Sequence, residues 1–420
     1  MKNYAPAHET SSNVEDTAAN APRICLLTET FYPVVGGGET HARLLAKRLN
    51  SMGMPTFVLT RRTTPSLPEE EIIDNIPTYR IGLAGMKRMG KYVMLAPVMR
   101  ELARRKDEYD LIFVCGFRIL GIPAIWAARR FNKACVLRAE VIGELSGGYA
   151  DAYRRLPMGI GPLFLRWVGL RNRILMRADA FVSISGPTAD EYAAHGVIAE
   201  KIYEIPNGLD TEVFRPVDAE TRNSLRIKLG LPANDKLATY SGKLNQGKGV
   251  RYLIKAWKTI AESRRDTHLV LVGSGDGQSL SREDEIRAMV KEMGLESRVT
   301  FTGYVENVHE YLQTSDIFVF PSENESFGLA FVEAMSCRLP IIACRVGGIP
   351  EIVQHGENGI LIEPRDPDAL AREINRILDH PDMARSLADN AYRTARERYS
   401  IDAVAARYFE LFCSLSAQKR

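Results

Sequence analysis

Short apolar, largely β-branched runs recur along the 420-residue chain, and longer stretches with apolar positions at helical spacing separate them. In the first half the runs are Arg23–Thr28, Thr56–Thr60, Leu111–Cys115, Cys135–Glu140, Ala180–Ile184 and Ile202–Ile205. In the second half they are Leu237–Tyr240, Leu269–Val272, Val299–Phe301, Ile317–Phe320, Ile341–Ala343 and Ile360–Ile362. Most are apolar on both faces, as expected of strands in a parallel sheet covered by helices on either side. The stretches Glu39–Met52, Val250–Glu262, Glu283–Met293 and Asp368–Leu378 predict helices between them. Strand and helix alternating at this spacing imply right-handed crossovers and a doubly wound α/β sheet. The pattern runs once before about residue 206 and again after about 236, which predicts two Rossmann-like domains in tandem.

The turn-rich segment Pro206–Pro216, with Asn207-Gly208 inside it, reads as the join between the halves. The expected division is a disordered tail over 1–22, a first domain over 23–206, a hinge over 207–216 and a second domain over 217–399. Ligands of doubly wound sheets bind at the carboxyl ends of the strands, so a site is expected in the cleft between the two sheets.

Composition narrows the function classes. Lys plus Arg number 55 and Asp plus Glu 52, a balance of +3, which argues against a nucleic-acid partner. The six cysteines (25, 115, 135, 337, 344 and 413) show no CxxC or CxxH spacing, so no metal site or disulfide scaffold is expected, and a reducing, cytoplasmic setting fits. No apolar run reaches the ~18 residues of a membrane span, and Met1–Ala21 lacks the apolar centre of a signal peptide. Two stretches, 86–105 and 153–177, mix apolar and aromatic residues with many arginines. They read either as basic amphipathic helices for an anionic membrane surface, or as packed helices whose arginines snorkel to solvent.

Three segments carry candidate chemistry. The first strand leads into Gly36-Gly37-Gly38 before a helix, where backbone amides would approach an anion. The second half opens with Ser241-Gly242-Lys243-Leu-Asn-Gln-Gly-Lys248-Gly249, placing two ammonium groups at a sheet's carboxyl edge. They would clamp a pyrophosphate, or they belong to an ordinary solvated turn. In Phe320–Ala334, Glu325 precedes a helix and Glu333 sits within it among Leu329, Phe331, Val332 and Met335. An inward glutamate on an apolar helix needs a partner; vicinal sugar hydroxyls would serve, as would a structural cap or a core ion pair.

Taken together these motifs resemble the retaining glycosyltransferases of family 4, with the two-domain GT-B fold. The resemblance runs from about residue 23 to 397. It rests on the glycine loop, Ile205-Pro-Asn-Gly-Leu-Asp210, Gly242-Lys-Leu with Lys248-Gly, Val272-Gly-Ser-Gly-Asp-Gly277, Phe301-Thr-Gly303, the paired glutamates, Val346-Gly-Gly-Ile-Pro-Glu-Ile-Val353 and Asn358-Gly-Ile-Leu-Ile-Glu363. It implies that Lys243 and Lys248 grip the donor diphosphate, Glu333 the nucleoside ribose and Glu325 the donor-sugar hydroxyls. It further implies that Ser326, Phe327, Gly328 and Leu329 present backbone amides, that Gly37 and Gly38 contact the phosphates, that Gly242 belongs to the donor-binding set, and that Tyr304 and Val305 follow the loop at the base. The final helix, 400–416, would cross back to the first domain, which would bind the acceptor while the second holds the donor.

Three positions depart from the family pattern. Lys243 stands where an arginine is usual, Arg338 where a glycine is frequent, and Glu140 where many members carry a histidine near the reacting sugar. A carboxylate there would hold a sugar hydroxyl or stabilise a developing cation, or else mark altered donor preference or lost activity. The expected activity is metal-independent, cofactor-free transfer of a hexosyl unit, with retention, from a nucleotide-diphosphate sugar to a glycan or lipid-linked acceptor. UDP is the expected nucleotide. Epimerase or phosphorylase chemistry on the same fold, or a non-catalytic nucleotide-sugar-binding protein, are the alternatives.

Overall fold

The computed structural model describes residues 21–34, 36–82, 93–146, 160–276 and 280–419, with backbone alone over 160–165. Most of the expected tail, and the parts of the two basic stretches at 86–92 and 153–159, lie outside the described residues. The chain forms two compact units. One contains the chain through Ser183, Glu191–Tyr203 and everything from Ala405; the other contains Ile184–Asp190 and Glu204–Val404. Residues 207–216 therefore lie within the second unit, and helix Ile401–Ala417 passes from the second unit into the first at Ala405.

The first unit is built on an eight-stranded sheet in the order β3-β4-β2-β1-β5-β6-β7-β8. The strands are β1 Ile24–Thr28, β2 Thr56–Arg61, β3 Glu70–Ile73, β4 Ile76–Ile81, β5 Leu111–Cys115, β6 Ala134–Arg138, β7 Ala180–Ser183 and β8 Ile202–Glu204. Pairing from β4 through β7 is parallel, while β3 and β4 form an antiparallel hairpin. Strands β1, β5 and β6 are buried along their whole length, so their continuous apolar runs are the direct mark of helices on both faces. Tyr408 and Phe412 of the last helix pack on Phe113 of β5, with ring centroids 5.3 and 5.2 Å away.

The second unit carries six parallel strands in the order β11-β10-β9-β12-β13-β14. They are β9 Lys236–Ser241, β10 Thr267–Val272, β11 Val299–Gly303, β12 Ile317–Phe320, β13 Ile341–Cys344 and β14 Ile360–Ile362. Trp257 of helix Val250–Ser263, Phe318 of β12 and Phe331 of helix Leu329–Ser336 are fully buried in one core. All twelve expected strands are present, within about two residues at their ends. The β3–β4 hairpin is an addition to that expectation. Strand β6 instead stops short of the expected end, at Arg138, and leaves Glu140 in the following loop.

Chain order reverses beside the first strand of each sheet, between β1 and β5 and between β9 and β12. Loops leaving the carboxyl ends of those strands border the natural binding crevice of each doubly wound sheet. Five cysteines are buried, four of them on β1, β5, β6 and β13. Among the described residues no helix is long and apolar enough to cross a membrane.

Candidate active site

In the second unit, the loops after β9 and β12 leave adjacent strands at the switch point and are laced together by backbone. Glu323 donates its amide to the Gly247 carbonyl at 2.8 Å. Gly249, at φ 68°, opens helix Val250–Ser263, and a Cβ there would overlap the Pro321 carbonyl. Only glycine meets both demands, left-handed backbone and close approach. The result places Lys248 Nζ 2.6 Å from Glu325 Oε2, with the ammonium 5.9 Å from the centroid of the Phe320 ring. Both side chains are largely sheltered, at 28% and 16% exposure. Lys243, by contrast, is exposed and pairs with no carboxylate among the described residues. Its carbonyl accepts the Tyr240 hydroxyl at 2.9 Å, which fixes the turn from below.

A third loop closes on the same place. The Glu325 carbonyl accepts the Gly348 amide at 3.2 Å, and Gly347, at φ 52°, sits where a side chain would strike that carbonyl. Gly328, at φ 91°, is the residue before helix Leu329–Ser336. Glu333 lies mid-helix, partly exposed, and its carboxylate has no hydrogen-bond or ion-pair partner among the described residues. Its surroundings withdraw water from the carboxyl and push its pKa up to about 7. A carboxylate held this way gains from any ligand that offers hydroxyl donors.

Gly242, Gly273 and Gly303 stand at the ends of β9, β10 and β11. The Gly242 amide bonds the Val272 carbonyl at 2.9 Å and the Gly273 amide bonds the Gly303 carbonyl at 3.0 Å. Tyr304, just beyond, is 60% exposed, while Val305 packs against the small cluster of Leu231, Leu237, Val270 and Val272. The Phe327 ring is core, edge-on to Tyr399 at 5.7 Å, so only its main chain is available to a ligand.

In the first unit, helix Gly37–Ser51 begins directly after the loop from β1. Gly38 lies against Glu140: a Cβ on it would come within 2.6 Å of the Glu140 carboxyl carbon. Arg138 Nη1 stands 3.7 Å from Glu140 Oε1. Burial raises the Glu140 carboxyl, Arg138 opposes this, and Glu39 and Glu29 add to the rise. The loop bearing Glu140 is organised by two carboxylates that the sequence reading did not single out. Glu144 accepts the amides of Arg118 and Glu140 at 3.1 Å each, and burial pushes it to about 7. Glu191 accepts the amides of Gly143, Leu145 and Ser146 at 2.6, 2.9 and 2.8 Å. Neither has a local motif; their roles arise from the fold that brings the loop to them.

The geometry thus brings Lys248, Glu325, Ser326, Gly328 and the Gly347-Gly348 turn together, with Glu333 and Leu329 on the adjoining helix. It brings Gly38 to Glu140 in the other unit. Arg338 has φ 60°, the left-handed region glycine favours, and its side chain pairs with Asp389. Such a backbone suits the glycine that the family resemblance leads one to expect at this position.

Comparison with known proteins matches both halves. Residues 35–213 fit the model of Glycosyltransferase Family 4 and residues 221–394 that of Glycosyl transferases group 1. The N-acetyl-alpha-D-glucosaminyl L-malate synthase of Bacillus anthracis is 31% identical over 91% of this chain and 95% of its own. The chain belongs to glycosyltransferase family 4. Its GT-B fold is shared with sucrose-phosphate synthase of Thermosynechococcus elongatus, with a TM-score of 0.77 at 26% identity over 94% of this chain and all of that one. Anabaena HepE, solved in complex with UDP and glucose, has a TM-score of 0.73 at 24% identity, over 94% of this chain and all of that one. As a member of the family the chain is an enzyme, a hexosyltransferase of GT-B type.

Proposed function

We propose that the enzyme transfers a hexosyl unit from a UDP-sugar to a hydroxyl of a glycan or lipid-linked acceptor, retaining anomeric configuration and without a metal ion. The observation that carries this reading is the Lys248–Glu325 pair at 2.6 Å, set at the switch point, with Glu333 on the helix that follows the Glu325 loop. Lys248 and Lys243 grip the diphosphate, Glu325 takes the sugar hydroxyls, and Glu333 takes the ribose hydroxyls. The Gly328 amide approaches the donor where a side chain would obstruct it, and the amides of Gly37 and Gly38, at the start of their helix in the first unit, are open to an anionic group. Ser326, Phe327 and Leu329 contribute main chain, Gly242 shapes the turn below, and Tyr304 and Val305 flank the base. In the first unit, Glu140 holds a sugar hydroxyl.

In the proposed step the acceptor oxygen bonds to the anomeric carbon as the bond from that carbon to the diphosphate oxygen breaks. The acceptor proton passes to the departing diphosphate, so the products are the glycoside and UDP. Lys248 stabilises the charge that grows on the leaving group. Removing such a contact costs about 2.7–4 kcal/mol, or about a hundred- to a thousandfold in rate. Lys248→Ala should show that loss with labelled UDP-glucose and UDP-N-acetylglucosamine and a panel of sugar and lipid-linked acceptors. Labelled glycoside appearing with equimolar UDP supports transfer. UDP binding without transfer across the panel, or a wild-type rate in Lys248→Ala, overturns the reading.

A further inference from the structure

The two basic stretches of the sequence come apart in the structure. In helix Leu95–Arg104 and the residue after it two of the three arginines are neutralised: Arg104 and Arg105 pair with Glu101 and Arg105 also with Glu108, while Arg105 lies buried over the Tyr79 ring and Arg100 is exposed. This part of the first stretch follows the packed-helix alternative. Helix Ile160–Leu175 does the opposite. No acidic residue occurs from Ile160 through Ala178. Arg166, Leu170, Arg173 and Arg177 recur at spacings of four, three and four and are all exposed, Leu170 at 59%, with Trp167 beside them at 39%. Among the described residues none of Arg166, Arg173 and Arg177 pairs with a carboxylate.

The opposite stripe of the same helix, Val168, Arg171 and Leu175, is buried. Arg171 Nη2 donates to the carbonyls of Leu145 at 2.7 Å and Glu144 at 3.2 Å, in the loop that follows Glu140. One helix therefore ties the Glu140 loop on its inner side and shows solvent an arginine stripe with a tryptophan and a leucine on its outer side.

We propose that the outer face of residues 166–177 docks on an anionic lipid bilayer. Charge complementarity selects this occupant: cations unmatched by the protein's own carboxylates, flanking an aromatic and an aliphatic side chain, suit the headgroup boundary of a negatively charged leaflet. The bilayer then lies directly behind the loop that carries Glu140, and the enzyme works on acceptors presented at a membrane surface. This inference goes beyond the donor chemistry, and vesicle binding and UDP binding are read by separate measurements.

Co-sedimentation of the full chain with vesicles of phosphatidylcholine containing phosphatidylglycerol, and of phosphatidylcholine alone, tests it. The chain should pellet with the anionic vesicles at low salt, be released by high salt, and stay in solution with the neutral ones. R166E/R173E should lose about a hundredfold or more in vesicle partitioning. The milder R166Q/R173Q should lose an intermediate amount, with UDP binding by calorimetry unchanged in both. Failure of the wild-type chain to pellet overturns the proposal, as does undiminished vesicle binding by either variant while UDP binding persists. Concentration-dependent dimerisation without lipid, abolished by Leu170→Ser, would assign the face to a second copy instead and equally overturns it.

Discussion

At the scale of single residues, the site is a set of charges whose partners are incomplete. Lys248 and Glu325 satisfy each other now, so a diphosphate has to draw the ammonium away from the carboxylate. Glu325→Gln removes that competitor: UDP affinity should stay level or rise in calorimetry while turnover with the UDP-sugar falls at least tenfold. A purely structural role for Glu325 would lower both. Glu333 has a different signature. Its folded-state pKa near 7 lies above the ordinary 4.5, so the folded chain holds this proton more tightly than the unfolded chain. The carboxyl therefore costs nothing below about pH 4.5, destabilises progressively as pH rises from there to about 7, and carries a constant cost above that. Glu333→Gln should match wild type in thermal unfolding at pH 4 and exceed it by on the order of 1–3 kcal/mol at pH 8, while UDP binding weakens. Residues of this kind were legible in the sequence, because an acidic group amid Leu329, Phe331, Val332 and Met335 is conspicuous against an apolar helix. Glu144 and Glu191 were not, since nothing nearby in sequence marks a carboxylate that serves the amides of a distant loop.

At the scale of elements, the strands were legible because burial on both faces writes an unbroken apolar run. The β3–β4 hairpin escaped for the complementary reason. Its outer strand, Glu70–Ile73, is half acidic, with Ile72 75% exposed, and its turn is Asp74-Asn75 at φ 51° and 63° rather than a glycine pair. The expected end of β6 lies two residues beyond the observed one, because Ala139 is as apolar and buried as the strand it follows. The glycine turns, in contrast, announce a backbone demand, and the demand is testable. Gly347→Ala must either leave φ 52° or push away the Glu325 carbonyl. The expected outcome is a lower melting temperature together with weaker UDP binding. Gly294→Ala, where φ is 67° and nothing crowds the position, should show only the conformational part of the loss.

At the scale of the whole molecule, the units draw on distant parts of the chain. The first is completed by residues after Ala405, with Tyr408 and Phe412 lodged on Phe113. Phe412→Ala should cost about 3–5 kcal/mol, and hydrogen exchange should report the loss in strands β1 and β5 while β9 through β13 keep their protection. The division of the chain could be sensed in the sequence from the repeat of the strand–helix pattern. The small segment Ile184–Asp190 could not, because it meets the rest of the second unit only across a long interval of chain, as where Glu351 accepts the Gly186 amide at 2.8 Å. The placing of the cysteines has a practical corollary. Cys25, Cys115, Cys135, Cys337 and Cys344 are buried with thiol pKa values raised by that burial, to about 12 for Cys115 and Cys344, so they stay protonated and out of reach. Cys413 alone is partly open to solvent. The natural chain thus comes with a single ready attachment point on its last helix, where a maleimide dye or spin label would report on the first unit without one substitution being made.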